Sequence, residues 1–223
     1  MGELVSFQSN DAEASGYLAG ARNDGPGVIV IQEWWGLNDN IKQIVERFAT
    51  EGFVALAPDL YHGEVTTAPD EARRLAMNLE MAQAATDMSG AVDFLLTHVK
   101  GDALGVVGFC LGGGLALTLA AQRPDVMAAA VPFYGLPRQI EALDWAGMTA
   151  KIQGHYGALD QGVSPDRVRA FEQQLVNLGK DVDISIYEGA NHAFFNEGSK
   201  AYHSELAELA WQKSVRHLKN VLR

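Results

Sequence analysis

The sequence contains a single cysteine, Cys110, in the run Gly108-Phe109-Cys110-Leu111-Gly112, with Gly113 and Gly114 directly after it. An apolar run from Leu104 to Phe109 precedes the cysteine and a Gly- and Ala-rich stretch follows. This is the strand, turn, helix setting of the G-x-S-x-G nucleophile motif, with cysteine in place of serine. The glycines have a physical purpose there. A side chain held at the tip of so tight a turn needs neighbours without a Cβ, both for unusual backbone angles and for close approach of helix to strand. A helix N-terminus also carries partial positive charge, which favours a thiolate. The alternative role of a free cysteine, as a small buried hydrophobe, leaves the glycines without a purpose. The same glycines lack the Gly-Lys-Ser/Thr ending of a phosphate loop and the G-x-G-x-x-G fingerprint, so nucleotide binding is weakly supported.

A cysteine nucleophile needs an imidazole to carry the proton and a carboxylate to hold that imidazole in one tautomer. In chains built around such a turn the order is nucleophile, acid, histidine, which sets aside His62 and His98. His192, in Glu188-Gly189-Ala190-Asn191-His192-Ala193-Phe194-Phe195, lies just beyond an expected strand and is the best base candidate. His155 sits inside an apolar strand, and His203 and His217 lie near or on the terminal helix, so these three read as structural or exposed. Asp160 follows Tyr156-Gly157-Ala158-Leu159 and fills the expected slot for the orienting acid, with Asp144 and Asp166 as weaker alternatives. One further acid, Glu33, ends the run Val30-Ile31-Gln32-Glu33. There it either projects into the same crevice as Cys110 or simply gives a strand a polar end.

The elements that must position these residues alternate along the chain. Continuous apolar runs at Gly27–Gln32, Phe53–Ala57, Leu104–Phe109, Ala128–Tyr134, Ile152–Tyr156 and Val182–Tyr187 predict strands covered on both faces. Two earlier segments, Glu3–Phe7 and Ser15–Ala19, predict an antiparallel entry to the sheet. Pro132 sits awkwardly in its strand because proline cannot donate to a ladder. Helical patterns fall at Asn38–Thr50, Asp70–His98, Gly112–Gln122, Pro165–Leu178 and Ser204–Leu222, and the second is long enough to be two helices. Asn38 and Ser204 have the chemistry of N-caps, and Pro165 suits a first helical turn. Strands alternating with crossover helices imply a single α/β domain over residues 1–223, with a mostly parallel sheet and helices on both faces. Loops at the carboxyl ends of the strands then form the binding crevice.

Composition narrows the function classes. Apolar residues make up 48% and charged residues 20%, as in an ordinary folded domain. A formal net charge of -11 without a Lys/Arg run disfavours nucleic acid and anionic membranes as partners. No run of about 18 apolar residues predicts a membrane span. The first residues lack the pattern of a secretory signal. A lone cysteine forms no internal disulfide, so the cytoplasm is the expected location.

With these places in view, the sequence resembles the dienelactone hydrolase family over nearly its whole length. The residues that carry the resemblance are Gln32-Glu33 with Gly36 and Asn38, Ala57-Pro58-Asp59-Leu60-Tyr61, Gly108-Phe109-Cys110-Leu111-Gly112-Gly113, Phe133-Tyr134-Gly135, and Gly189-Ala190-Asn191-His192-Ala193-Phe194. The resemblance implies an α/β-hydrolase fold and a Cys, Asp, His triad that lands on Cys110, Asp160 and His192. It implies that Glu33 holds the resting thiol and takes its proton when substrate rearranges the site. It also implies an oxyanion hole built from the backbone N–H groups of Leu111 and Trp34. The family's name-giving lactone carries a carboxylate, usually gripped by two arginines. Arg74 stands at the first of these positions, with Arg73 a neighbouring alternative, and Asn196 stands at the second. A neutral amide does not replace a bidentate guanidinium, so the substrate expected here is a small ester or lactone other than dienelactone. Trp35 and Phe195, with Trp34 and Phe194, are candidates to line an apolar substrate pocket or to pack in the core. No metal or other cofactor is implied, and the oligomeric state is not read from the sequence. A receptor that keeps the fold without catalysis is the alternative reading. Redox sensing by Cys110 ranks below it, as the chain offers no resolving cysteine.

Overall fold

In a computed structural model of the chain, residues 2–10, 12–21 and 25–222 are described. They form eight β-strands and six α-helices in alternating order and divide into two compact units, Met1–Leu104 and Gly105–Arg223.

In the first unit, β1 (Glu3–Ser9), β2 (Ala12–Ala19), β3 (Gly27–Ile31) and β4 (Val54–Pro58) lie side by side in the order β1-β2-β4-β3. β1 and β2 form the expected antiparallel hairpin, β2 runs antiparallel to β4, and β3 is parallel to β4. Every residue of β3 and β4 is buried, which is why both read as unbroken apolar runs rather than alternating ones. Helix α1 (Asp39–Thr50) packs on β2, β3 and β4, burying Ile41, Ile44, Val45 and Phe48. Its start is set by Asn38, whose side-chain oxygen accepts the N–H of Ile41 at 3.1 Å. Such a cap is worth about 1 kcal/mol. The long helical stretch is two helices, α2 (Pro69–Asn78) and α3 (Met81–Leu96), separated by extended backbone at Leu79 and Glu80.

In the second unit the strands are β5 (Leu104–Phe109), β6 (Met127–Phe133), β7 (Lys151–Gly157) and β8 (Val182–Tyr187), in sequence order across the sheet. β6, β7 and β8 are mutually parallel. Pro132 lies inside β6, between the pairings with β7 at Ala130–Ile152 and Phe133–His155, so the strand continues across a residue that has no N–H to donate. Helices α4 (Leu111–Gln122), α5 (Pro165–Asn177) and α6 (Ser204–Val221) complete the unit. The N-cap of α6 is His203, one residue earlier than the Ser204 expected from cap chemistry, and Ser204 is the first helical residue. Among the described residues no helix is long and apolar enough to cross a membrane.

Burial also settles the fate of His155 on β7. Its ring is fully buried between the hydroxyl of Tyr187, 2.8 Å from Nδ1, and that of Ser214, 3.0 Å from Nε2. The Ser214 hydroxyl donates its own proton to the Ala210 carbonyl at 2.8 Å, so it accepts from Nε2–H and Tyr187 donates to Nδ1. The neutral imidazole is therefore fully satisfied. Burial, reinforced by Lys213 and His217, pushes its pKa down from 6.5 to about 3. Between those values the unfolded chain holds one more proton than the folded one, so stability falls as the pH drops through that window. The slope is about 1.4 kcal/mol per pH unit, roughly 4 to 5 kcal/mol in all. His155→Gln is expected to flatten the pH dependence of the urea midpoint between about pH 6 and pH 4, measured against wild type; an unchanged slope would assign the acid sensitivity to other groups.

Candidate active site

Three loops of the second unit bring its reactive side chains together. The first is the turn between β5 and α4. Cys110 there has φ 55° and ψ -116°, a backbone conformation side chains rarely adopt, and α4 begins at the next residue. The turn is pinned by the Cys110 N–H donating to the Phe133 carbonyl and the Gly113 N–H donating to the Cys110 carbonyl, both at 3.0 Å. Glycine is required at two of its contacts. A Cβ on Gly108 would lie 1.9 Å from the Gly112 carbonyl oxygen, and one on Gly135 would lie 2.0 Å from that of Cys110. Strain of this kind costs about 1–3 kcal/mol and persists only where the surroundings over-determine it.

The second loop follows β7 and holds Asp160, whose side chain is fully buried. Its Oδ1 accepts the backbone N–H groups of Gly162 and Val163 at 2.8 and 2.9 Å. The third loop follows β8 and carries His192, whose backbone N–H donates to the Asn191 side-chain oxygen at 2.8 Å. The ring closes the arrangement: Nδ1 lies 2.7 Å from Asp160 Oδ2 and Nε2 lies 3.2 Å from Cys110 Sγ. Cys110, His192 and Asp160 thus form one hydrogen-bonded chain from three separate loops.

The electrostatics follow from those contacts. Burial alone would push the Asp160 carboxyl up, but the imidazole and the two amides outweigh it and hold the group below its ordinary value. Burial likewise pushes His192 down, yet the bond to Asp160 and the adjacent sulfur lift it to about 10. The imidazole is thereby held toward its charged form between the Asp160 carboxylate and the Cys110 sulfur.

The other residues singled out from sequence lie as follows. Leu111 is the first residue of α4. Glu33 follows β3 and is 2% exposed, while Gln32 before it accepts the Leu60 N–H at 3.2 Å. Trp34 and Trp35 are half-buried and pack edge to face, ring centroids 4.9 Å apart. Arg73 and Arg74 are exposed on α2, and the Arg74 guanidinium reaches Glu71 at 2.6 Å and Glu64 at 3.1 Å. Arg74 also lines a cavity of about 510 Å³ in the first unit, with Leu60, Leu75 and Leu79 among its walls. Phe195 is buried, stacked on Phe109 at 5.2 Å and tilted against Phe133 at 4.9 Å, so its ring is engaged in core packing. Asn196 is buried, with its side-chain oxygen accepting the Gly198 N–H at 2.8 Å. Among the described residues no group of three or more His, Cys, Asp or Glu side chains is placed to hold a metal ion. Sequence reasoning assigned no individual role to Tyr134, whose ring lies 5.1 Å from that of His192; the only signal for it was its place in Phe133-Tyr134-Gly135.

The model of the dienelactone hydrolase family matches residues 14–222. The chain belongs to this family. A protein of Aquifex pyrophilus, named protein usf, is 39% identical over the full length of both chains. A protein of Aquifex aeolicus, provisionally named a carboxymethylenebutenolidase, is 35% identical, again over the full length of both. Among solved structures, a protein of Klebsiella pneumoniae provisionally described as a dienelactone hydrolase superposes with a TM-score of 0.89 at 27% identity, covering 98% of each chain. The fold is accordingly that of the α/β-hydrolases, and family membership makes the protein a hydrolase of the dienelactone hydrolase type, acting on a small molecule.

Proposed function

We propose that the protein hydrolyses a small ester or lactone through a covalent intermediate on Cys110, without a cofactor. The observation that carries this reading is the unbroken chain Cys110 Sγ, His192 Nε2 and Nδ1, Asp160 Oδ2, at 3.2 and 2.7 Å. The sulfur attacks the substrate carbonyl as a thiolate paired with the His192 imidazolium. The tetrahedral oxyanion collapses to a thioester as the carbon–oxygen bond breaks, and the leaving alkoxide takes the proton from His192 Nε2. Neutral His192 then draws a proton from water, whose oxygen attacks the thioester. Collapse releases the carboxylic acid and restores the thiolate and imidazolium. Asp160 keeps Nδ1 protonated throughout.

The oxyanion is assigned to the N–H groups of Leu111 and Trp34, and the gating proton transfer to Glu33, on the strength of their places in the family motifs. Removing one such donor typically costs about two to three powers of ten in turnover. Arg74 is already shared between Glu64 and Glu71, and Asn196 is neutral. Both favour a substrate that does not depend on a paired-arginine grip of a carboxylate.

The pairing of sulfur and imidazolium is testable without knowing the substrate. Iodoacetamide labelling of Cys110 is expected to be faster below about pH 8 in wild type than in His192→Ala, because the protonated imidazole 3.2 Å from the sulfur favours the anion that reacts. In His192→Ala the rate should rise steeply with pH, as for an ordinary thiol near 8.5. A wild-type profile identical to that of the variant would remove the activated nucleophile, as a non-catalytic receptor requires.

A further inference from the structure

The turn after β6 has no part in the proton chain, yet its geometry is tied to both ends of it. Among the described residues of the second unit, three other than glycine have positive φ: Cys110 at 55°, Tyr134 at 38° and Ala193 at 60°. The first is the sulfur-bearing residue and the third follows His192. Such strain gathers where the surrounding structure fixes a functional geometry, and the second member of the set sits on a buried tyrosine.

The backbone around Tyr134 is held on two sides. Phe133 supplies the carbonyl that receives the Cys110 N–H at 3.0 Å, and Gly135 approaches the Cys110 carbonyl too closely for any Cβ. Opposite, the Tyr134 N–H donates to the His155 carbonyl at 2.8 Å, and the Tyr156 hydroxyl donates to the Gly135 carbonyl at 3.1 Å. The Tyr134 side chain, 1% exposed, is backed edge-on by Phe133 at 6.1 Å and by Phe194 at 5.7 Å. Its ring presents itself to His192 with centroids 5.1 Å apart and planes at 59°. His192 itself is 36% exposed, so much of its ring has no protein cover. Hydrogen bonds to Asp160 and Cys110 engage both nitrogens of the imidazole, and side chains packed against the ring keep it from swinging away from them.

We propose that Tyr134 is a positioning residue whose ring is the rigid wall that sets the plane of the His192 imidazole, so that one short turn aligns both the cysteine and its base. This rests on reading Cys110 and His192 as nucleophile and base. The hydroxyl is not what the inference uses; the aromatic face is. Misplacing a reacting group by about 1 Å costs about a hundredfold in rate, and swinging the imidazole plane displaces Nε2 by a distance of that order.

The test compares Tyr134→Leu with Tyr134→Phe, reading kcat and KM on an activated short-chain ester and the low-field Nδ1 proton resonance of His192. In Tyr134→Leu, kcat is expected to fall about 10- to 100-fold with KM within about threefold of wild type. The Nδ1 resonance should broaden or vanish, and the His192 titration should move down from about 10. Tyr134→Phe should restore all three readings. A merely structural role would lower the thermal midpoint in both variants and leave the resonance and the titration in place. The inference is overturned if folded Tyr134→Leu keeps the wild-type kcat and resonance, or if Tyr134→Phe is as impaired as Tyr134→Leu. Should Tyr134→Leu fail to fold, Tyr134→Met gives the same readings. Cys110→Ala separates the two failures. Retained turnover there sinks the nucleophile, whereas loss there beside a normal Tyr134→Leu sinks only the positioning role.

Discussion

Cys110→Ala is expected to lower kcat/KM on a small ester by at least about 10⁴-fold while leaving the protein folded. The size follows from what is removed. Without the sulfur no thioester forms, and the residual rate is limited to what bound water and oxyanion donors achieve, the behaviour seen when one member of a cooperating triad is deleted. Folding should survive because alanine is smaller than cysteine and the side chain is only half-buried. The strained backbone at φ 55° is held by the Phe133 and Gly113 hydrogen bonds rather than by the thiol. The same variant removes the sulfur whose contact with Nε2 helps lift His192 to about 10, so the imidazole should titrate lower. Initial rates on activated esters, with a titration of His192 followed by NMR, check both parts. Turnover within tenfold of wild type would eliminate Cys110 as the nucleophile.

Asp160→Asn is expected to cost about 10³- to 10⁴-fold in kcat with a nearly unchanged fold, and the structure shows why an isosteric change should act so strongly. Asp160 Oδ1 accepts two backbone N–H groups, from Gly162 and Val163. In the amide, the oxygen must remain at that position, because an NH₂ there would face two donors. The NH₂ is therefore turned toward His192, where the carboxylate Oδ2 now accepts the Nδ1 proton at 2.7 Å. Imidazole then carries its proton on Nε2, facing the sulfur, and is unable to take one from it. That is the wrong-tautomer defect known to cost about 10⁴ in a comparable triad. Its signature is a collapse of kcat between about pH 6 and pH 8 together with loss of the low-field His192 resonance. Asp160 is held below its ordinary value of 3.8, so its ionic stabilisation is present above that pH and fades as the pH falls through the folded value. Near neutrality the variant forfeits that contribution, and a modest fall in thermal midpoint accompanies the kinetic loss. Normal turnover with the resonance intact would show that Asp160 does not orient the base.

Much of the architecture was legible because its causes are local. The buried strands β3, β4 and β5 announce themselves as unbroken apolar runs, and Asn38 and Pro165 stand where helix starts need them. Pro132 argued against a strand that nonetheless forms, because the pairings on either side of it hold β6 in register with β7. The start of α6 shifted by one residue because both His203 and Ser204 fit the end of the preceding loop, and cap chemistry alone does not choose between adjacent positions. The roles of Phe195 and Arg74 were open for a related reason. An aromatic after a strand and an arginine on a helix are compatible with either a pocket or ordinary packing and solvation. Only the neighbours Phe109, Phe133, Glu64 and Glu71 show how those side chains are engaged.

For the candidate site, the sequence by itself determined the residue types and their order: a cysteine between glycines at a strand-to-helix turn, then Asp160, then His192. Turn chemistry and chain order are properties of short segments, so they survive without coordinates. The tertiary structure alone decided that residues 82 and 32 positions apart meet, with Nε2 at 3.2 Å from the sulfur and Nδ1 at 2.7 Å from the carboxylate. It also drew in Tyr134, whose relation to His192 arises from parallel β6, β7 and β8 carrying their following loops to the same end of the sheet. Distances of that kind are set by strand register and side-chain packing, and neither is written in any one segment of the chain.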